Sequence, residues 1–185
     1  MRIVIANNKG GQGKTLLAVL LLQHLQHKRK PKIAACDLDR TQLNLTDSLQ
    51  ESGLKVYARF EDIPEDVICV VDTPPHLDES LMEVIRRADR LIVPITLGKH
   101  AVQGVRRIAE LRDRQDTKFV VNAYDESTIQ KQSRDFLQEQ GFKFSGVIPR
   151  YKRLAYNVDC GLSWHTGFPP AHIKFIEKTL DNLIK

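Results

Sequence analysis

The stretch Lys9-Gly10-Gly11-Gln12-Gly13-Lys14-Thr15 constrains this chain more than any other. A short apolar run, Ile3-Val4-Ile5-Ala6, precedes it, and a long one from Leu16 to Leu25 follows. Strand, glycine-rich turn, helix is the setting of a phosphate cradle. Glycines leave the backbone N–H groups free to turn inward on a polyphosphate, with no Cβ in the way. A helix opening at Gly13 or Lys14 adds its positive N-terminal dipole. Lys14 supplies a cation for β- and γ-phosphates, and Thr15 a hydroxyl for Mg²⁺. The loop departs from G-x-x-x-x-G-K-[ST], because Asn8 stands where the first glycine belongs, and Lys9 adds a second lysine. Two lysines this close repel unless they share an anion; the bland alternative is a glycine turn with two solvated lysines.

The chain has 185 residues, enough for a single domain, residues 1–185, with a sizeable core. A net charge of +5 is compatible with weak binding to nucleic acid or an anionic membrane and equally with a merely basic enzyme. Cys36, Cys69 and Cys160 are odd in number and widely spaced, with no C-x-x-C pair, which argues against a disulfide or zinc framework. A reducing, cytoplasmic setting fits. Leu16–Leu25 is too short to span a bilayer and reads as a helix buried on a sheet.

Alternation of strand and helix continues along the chain. Strands are expected at residues 2–6, 32–36, 67–71, 91–95, 119–122 and 144–148. Helices are expected at 14–28, 43–49, 78–88, 99–114, 127–140 and from about 170 onward. Lys28-Arg29-Lys30-Pro31 closes the first helix with cations and a breaker. In residues 54–66, Val56 and Tyr57 are compatible with a short strand, but the segment reads as a solvated loop. Unbroken apolar strands between helices imply an α/β fold with a doubly wound, mostly parallel sheet. Ligands of such sheets sit at the carboxyl ends of the strands. Asn8–Thr15, Asp37 with Asp39, Asp72 and Asn122 all follow strands, so one rim collects them.

Asp72 ends an apolar strand and places a hard anionic oxygen near Mg²⁺, usually through a water. Thr73-Pro74-Pro75 stiffens the turn behind it. Asp37 and Asp39 point to one side of an extended segment. They are placed to hold Mg²⁺-bound water and to orient an attacking water; turn-forming aspartates are the alternative.

With these motifs in place, the chain resembles the ParA/MinD family of deviant Walker A P-loop ATPases, and a small ParA-type partition ATPase in particular. Lys9–Thr15 is similar to the family's KGGxGK[ST] loop, Asp37-Leu38-Asp39 to its D-x-D element, Asp72-Thr73-Pro74-Pro75 to its D-x-P-P element, and Ile148-Pro149 to a late I-P element beside the base. The resemblance implies ATP and Mg²⁺ as ligands and an ATP-dependent homodimer. Lys9 corresponds to the signature lysine that reaches the partner's phosphates, Lys14 to the phosphate ligand, and Asp39 to the residue that positions the hydrolytic water. The implied nucleotide set is Gly10, Gly11, Gln12, Gly13, Lys14, Thr15 and Leu16, with Asn122 and Pro149 at the adenine; the implied metal set is Thr15, Asp37 and Asp72. Leu16 replaces a frequent second threonine, and the spacing from Asp39 to Asn44-Leu45 is closer to the MinD pattern.

The resemblance further implies slow hydrolysis stimulated by a ParB-like partner protein, and cycling on non-specific DNA or on a membrane. Arg86, Arg87 and Arg90; Arg106, Arg107, Arg112 and Arg114; and Arg150, Lys152 and Arg153 form basic groups suited to DNA phosphates. The final helix mixes Lys174, Glu177, Lys178, Asp181 and Lys185, which suits docking on the core better than lying in a membrane. With the loop beginning near residue 8, a minimal member without a DNA-reading domain is expected. The alternatives are a MinD-like positioning ATPase, an accessory ATPase of plasmid transfer or envelope assembly, and a non-hydrolysing switch.

Overall fold

A computed structural model describes residues 1–30, 32–40, 44–98, 105, 108, 110–111 and 117–185. Seven strands form one sheet in the order β3-β2-β4-β1-β5-β6-β7. They are β1 (Arg2–Ile5), β2 (Ile33–Asp37), β3 (Lys55–Tyr57), β4 (Ile68–Asp72), β5 (Arg90–Thr96), β6 (Thr117–Tyr124) and β7 (Phe144–Pro149). Every pairing is parallel, so the sheet is wholly rather than mostly parallel. The helices are α1 (Lys14–His27), α2 (Asn44–Ser48), α3 (Glu79–Arg86), α4 (Thr128–Glu139), α5 (Lys152–Asp159) and α6 (Pro170–Ile184). Val105 and Ile108 are helical and buried, as their spacing requires. Glu110 and Leu111 are helical as well; the rest of the 99–114 helix, with the Arg106, Arg107, Arg112 and Arg114 group, lies outside the described residues, as do Pro31 and residues 41–43.

The sheet divides two cores by the period-2 alternation of its strands. Ile3, Ile5, Ala35, Val70 and Ile92 face α1, α5 and α6; Val4, Ala34, Cys36, Val71 and Val93 face α3. Because α1 lies beneath the sheet and also touches α2, α5 and α6, it is apolar almost all round. It has no polar stripe because none of its sides is wholly exposed. α6 buries Ile176, Leu180 and Leu183 and lies against β7, so this helix is docked on the core.

The segment expected to be a loop contains β3, a parallel partner of β2, and a 3₁₀ turn over Phe60–Asp62. Phe60 and Ile63 are buried in the α3-side core, with the guanidinium groups of Arg2 and Arg87 over the Phe60 ring. An edge strand of three residues has too few positions for alternation to show in sequence. No helix among the described residues is long and apolar enough to cross a membrane.

Candidate nucleotide site

The chain leaves β1 toward β2 with α1 on one face, and returns from β4 to β5 with α3 on the other. The crevice at this reversal, over the carboxyl ends of β4, β1 and β5, is where a doubly wound sheet receives ligands. The glycine loop stands there. Gly11 has φ 71° and Gly13, the residue capping α1, has φ 80°, both in the left-handed region. A Cβ on Gly13 would also lie 2.0 Å from Asn122 Nδ2, so only glycine fits.

Three side chains brace this loop, and one of them, Asn7, was not singled out in the sequence. Asn7 donates through Nδ2 to Pro94 O (2.8 Å) and accepts from Lys9 N (3.1 Å). Gln12, the variable residue of the motif, accepts from Thr96 N through Oε1 (2.9 Å). Asn122, expected at the adenine, donates from Nδ2 to Gln12 O (3.0 Å) and is buried behind the loop. The loop is therefore tied to the ends of β5 and β6. Polar residues flanking a glycine loop are the only trace of this in the sequence.

Thr15, Asp72 and Lys14 lie together where α1 begins beside the end of β4. Thr15 Oγ1 donates to Asp72 Oδ2 at 2.6 Å, joining the start of α1 to the end of β4. Asp72 Oδ1 accepts from Thr73 N, and Thr73 Oγ1 donates to Ile5 O, which ties the turn after β4 back to β1. Asp72 is 1% exposed. Burial pushes its pKa up to about 6, against the opposing pull of the Thr15 hydrogen bond and the Lys14 charge. Lys14 is 8% exposed, and its own burial lowers its pKa while Asp72 and Asp39 hold it up.

Asp37 and Asp39 differ in role. Asp37 Oδ1 accepts from Asp39 N (3.1 Å), and Oδ2 accepts from Thr46 N (3.0 Å) and Thr46 Oγ1 (2.9 Å). Both carboxylate oxygens thus shape the β2–α2 loop. Among the described residues no hydrogen bond joins Asp37 to Thr15, so the hydrogen-bonded pair at the start of α1 is Thr15 and Asp72. Asp39 is half-buried and close enough to Lys14 to act on its charge. Lys9 is exposed on the loop and makes no ion pair among the described residues. Leu16 is half-buried and packs with the α1-side core. Pro149 ends β7 opposite Tyr124. It lies three strands from β1, about 14 Å at ordinary strand spacing.

The basic groups separate. Arg86, Arg87 and Arg90 lie at the amino end of β5, opposite the rim, beside Glu83, Glu61 and the Lys185 carbonyl. Arg150, Lys152 and Arg153 follow β7 on the rim side; Arg150 pairs with Asp125, and Arg153 donates to Gly167 O.

Residues 3–162 match the CobQ/CobB/MinD/ParA nucleotide binding domain. A curated relative, the maintenance of carboxysome distribution protein A of Gloeobacter kilaueensis, is 31% identical over 102 residues, which are 50% of this chain and 47% of that protein. The chain thus spans about half the length of the curated relative it matches. A candidate plasmid partition protein of Borrelia burgdorferi B31, bound to AMPPNP, has a TM-score of 0.77 at 18% identity, covering 100% of this chain and 98% of that one. The cell division ATPase MinD of Pyrococcus furiosus has a TM-score of 0.78 at 16% identity, covering 99% and 98%. At such identities the likeness carries the fold alone: a parallel α/β sheet with a phosphate loop after its central strand.

Proposed function

Since the chain belongs to the CobQ/CobB/MinD/ParA nucleotide-binding domain family, we propose that it is a Mg-ATP-dependent ATPase that dimerises around its nucleotide and acts as a partition or positioning switch. The carrying observation is the 2.6 Å hydrogen bond from Thr15 to Asp72 beside the buried Lys14. It sets hard oxygen donors, the ligands Mg²⁺ prefers, next to a cation and a glycine cradle that a Cβ would fill. Mg²⁺, when bound, spreads the negative charge of the phosphates.

The chain's own groups divide the remaining work. Backbone N–H groups of Gly10 to Leu16 and the α1 dipole hold the phosphates, and Lys14 neutralises them. Asp39 orients the attacking water. Asp37 contributes at one remove from the metal, by fixing the loop that carries Asp39. Pro149 lines the adenine side of the rim, and Asn122 serves the nucleotide from behind the loop by holding Gln12. Lys9, exposed and free of ion pairs among the described residues, reaches the second subunit's triphosphate. A stimulating partner protein sets the rate.

Two observations support a partition or positioning role: one relative serves carboxysome distribution, and one structural neighbour is a candidate plasmid partition protein. Arg150, Lys152 and Arg153 on the rim side supply contacts for DNA phosphates. The test combines ATP turnover, light scattering and DNA co-sedimentation. Expected are weak turnover that needs Mg²⁺, a dimer in ATP but not ADP, and DNA binding in ATP that weakens steeply with salt. Lys9→Ala should remain monomeric in ATP; a variant that dimerises and turns over ATP normally refutes the role of Lys9. Binding to anionic vesicles in place of DNA would move the protein to a membrane-cycling role.

A further inference from the structure

Three side chains far apart in sequence converge at the end of α1 opposite the phosphate loop. His27 is the last residue of α1, His165 lies between α5 and α6, and Glu177 is on α6. One ligand atom from each lies within 4.8 Å of the others. His165 Nε2 is buried and has no hydrogen-bond partner. Its other nitrogen, Nδ1, lies 3.0 Å from Ser163 Oγ, and Trp164 stacks on the ring with centroids 3.8 Å apart. The ring is thus fixed from behind and from one face, its centroid is 4.9 Å from that of His27, and one of its nitrogens belongs to the converging set. A buried polar atom left unpaired in this way calls for a partner.

We propose that His27, His165 and Glu177 bind one divalent transition-metal cation of the zinc class, clasping the C-terminal part of the chain to α1. Two imidazoles and a carboxylate are borderline ligands that suit Zn²⁺ and its neighbours rather than Mg²⁺. A tetrahedral site with bonds near 2.1 Å sets its ligand atoms about 3.4 Å apart. The widest pair must close by at most about 1.4 Å, within the rotamer freedom of the exposed His27 and half-buried Glu177. Ser163 would hold the Nδ1 proton of His165, leaving Nε2 as the ligand atom.

A cavity of about 870 Å³ runs along α1 from Thr15 and Leu16 to His27 and His165, and its far end gives the two imidazoles an opening for the ion and a coordinated water. The site lies one helix length, about 20 Å, from Lys14. It is therefore a structural clasp, distinct from the hard-oxygen pair at the phosphate loop. His24, one turn earlier on α1, is not among the converging residues: its Nε2 is engaged with Asp181 at 2.8 Å, and its Nδ1, though also unpartnered, belongs to a ring outside the cluster.

The test is a Zn²⁺ titration of the full chain against a chelating indicator, without nucleotide and with Mg²⁺ in excess. Trp164, the single tryptophan of the chain, reports from beside His165 through its emission. One equivalent should bind and shift that emission. His27→Gln and Glu177→Gln, chosen because neither side chain is buried, should each weaken binding roughly 10–100-fold or more with unchanged circular dichroism. Cys160 borders the same cavity, and Cys160→Ser should bind as the wild type does. Absent or substoichiometric binding, wild-type affinity in either glutamine variant, or loss on replacing Cys160 would each overturn the proposal.

Discussion

Replacing Asp72 by asparagine separates two effects of one carboxylate, its cost to the fold and its service to the metal. The side chain is 1% exposed, and burial raises its pKa to about 6 from an ordinary 3.8. The folded chain therefore holds this proton more tightly than the unfolded chain does. Its contribution to stability is complete below pH 3.8 and is lost as pH rises through about 6. At pH 7 the ionised group costs the fold about 3 kcal/mol, a figure that already includes the help of Thr15 and Lys14. Asparagine is nearly isosteric and stays neutral. Its oxygen can accept from Thr73 N, and its amide can donate to Thr15 Oγ1. Losing about 1 kcal/mol to imperfect hydrogen bonds leaves a gain of about 2 kcal/mol. For a chain of this size that raises Tm by roughly 4–8 °C at pH 7. The assay is thermal unfolding of the nucleotide-free protein from pH 4 to pH 8. Asp72→Asn should be slightly less stable than the wild type at the acid end, by up to about 1 kcal/mol, should overtake it between about pH 4 and 5, and its advantage should level off above about pH 6. Added Mg-ATP should raise the wild-type Tm and leave the variant's nearly unmoved. A variant no more stable than the wild type at pH 7, or an advantage of equal size at both ends of the range, would refute the reasoning.

Other perturbations test the braces around the site. Gly13→Ala places a Cβ 2.0 Å from Asn122 Nδ2 at φ 80°, so it should abolish nucleotide binding and destabilise the chain by about 1–3 kcal/mol in urea. Removing the clash with Asn122→Ala should restore part of the stability but not the binding. Thr46→Ala removes one of the hydrogen bonds on the buried Asp37 carboxylate, at a cost of about 1.5–3 kcal/mol by chemical denaturation. Gly146→Ala sets a Cβ 2.4 Å from Thr179 Cγ2, between β7 and α6, and should cost about 1–3 kcal/mol. Gly146→Ala with Thr179→Ser should recover much of that loss, since it removes the clashing methyl and keeps the hydroxyl that donates to Val147 O.

The features legible in the sequence are those with a local cause. Apolar runs on β1, β4 and β5 are unbroken because both faces of those strands are covered, and the aspartate ending β4 is conspicuous against them. Roles decided by partners distant in sequence were not legible. Asp37 and Asp39 look alike on paper, and it is Thr46, across the loop, that occupies one and not the other. Gln12 sits at a motif position that tolerates many residues, yet its side chain reaches Thr96 in β5. The Arg86, Arg87 and Arg90 group looked like one basic patch. Folding distributes it among Glu83, Glu61 and a backbone carbonyl, at the end of the sheet away from the phosphate loop.

The charges at the rim explain why a second lysine in the loop is tolerable. Burial lowers the Lys14 pKa and raises that of Asp72, so each is held away from its comfortable charged state and each is a counter-ion to the other. Neither has charge to spare for Lys9, which stays exposed in solvent. A triphosphate offers Lys14 a denser anion than Asp72 does, and a divalent cation offers Asp72 a stronger partner than Lys14 does. Binding the two together exchanges one strained pair for two better ones, which makes nucleotide and metal affinity interdependent. The phosphate oxygens left over carry negative charge on the exposed side of the loop, where Lys9 stands. Under the proposed function, Lys9 would thereby gain an anion once nucleotide is bound, and a second subunit bringing its own triphosphate to that face would supply more.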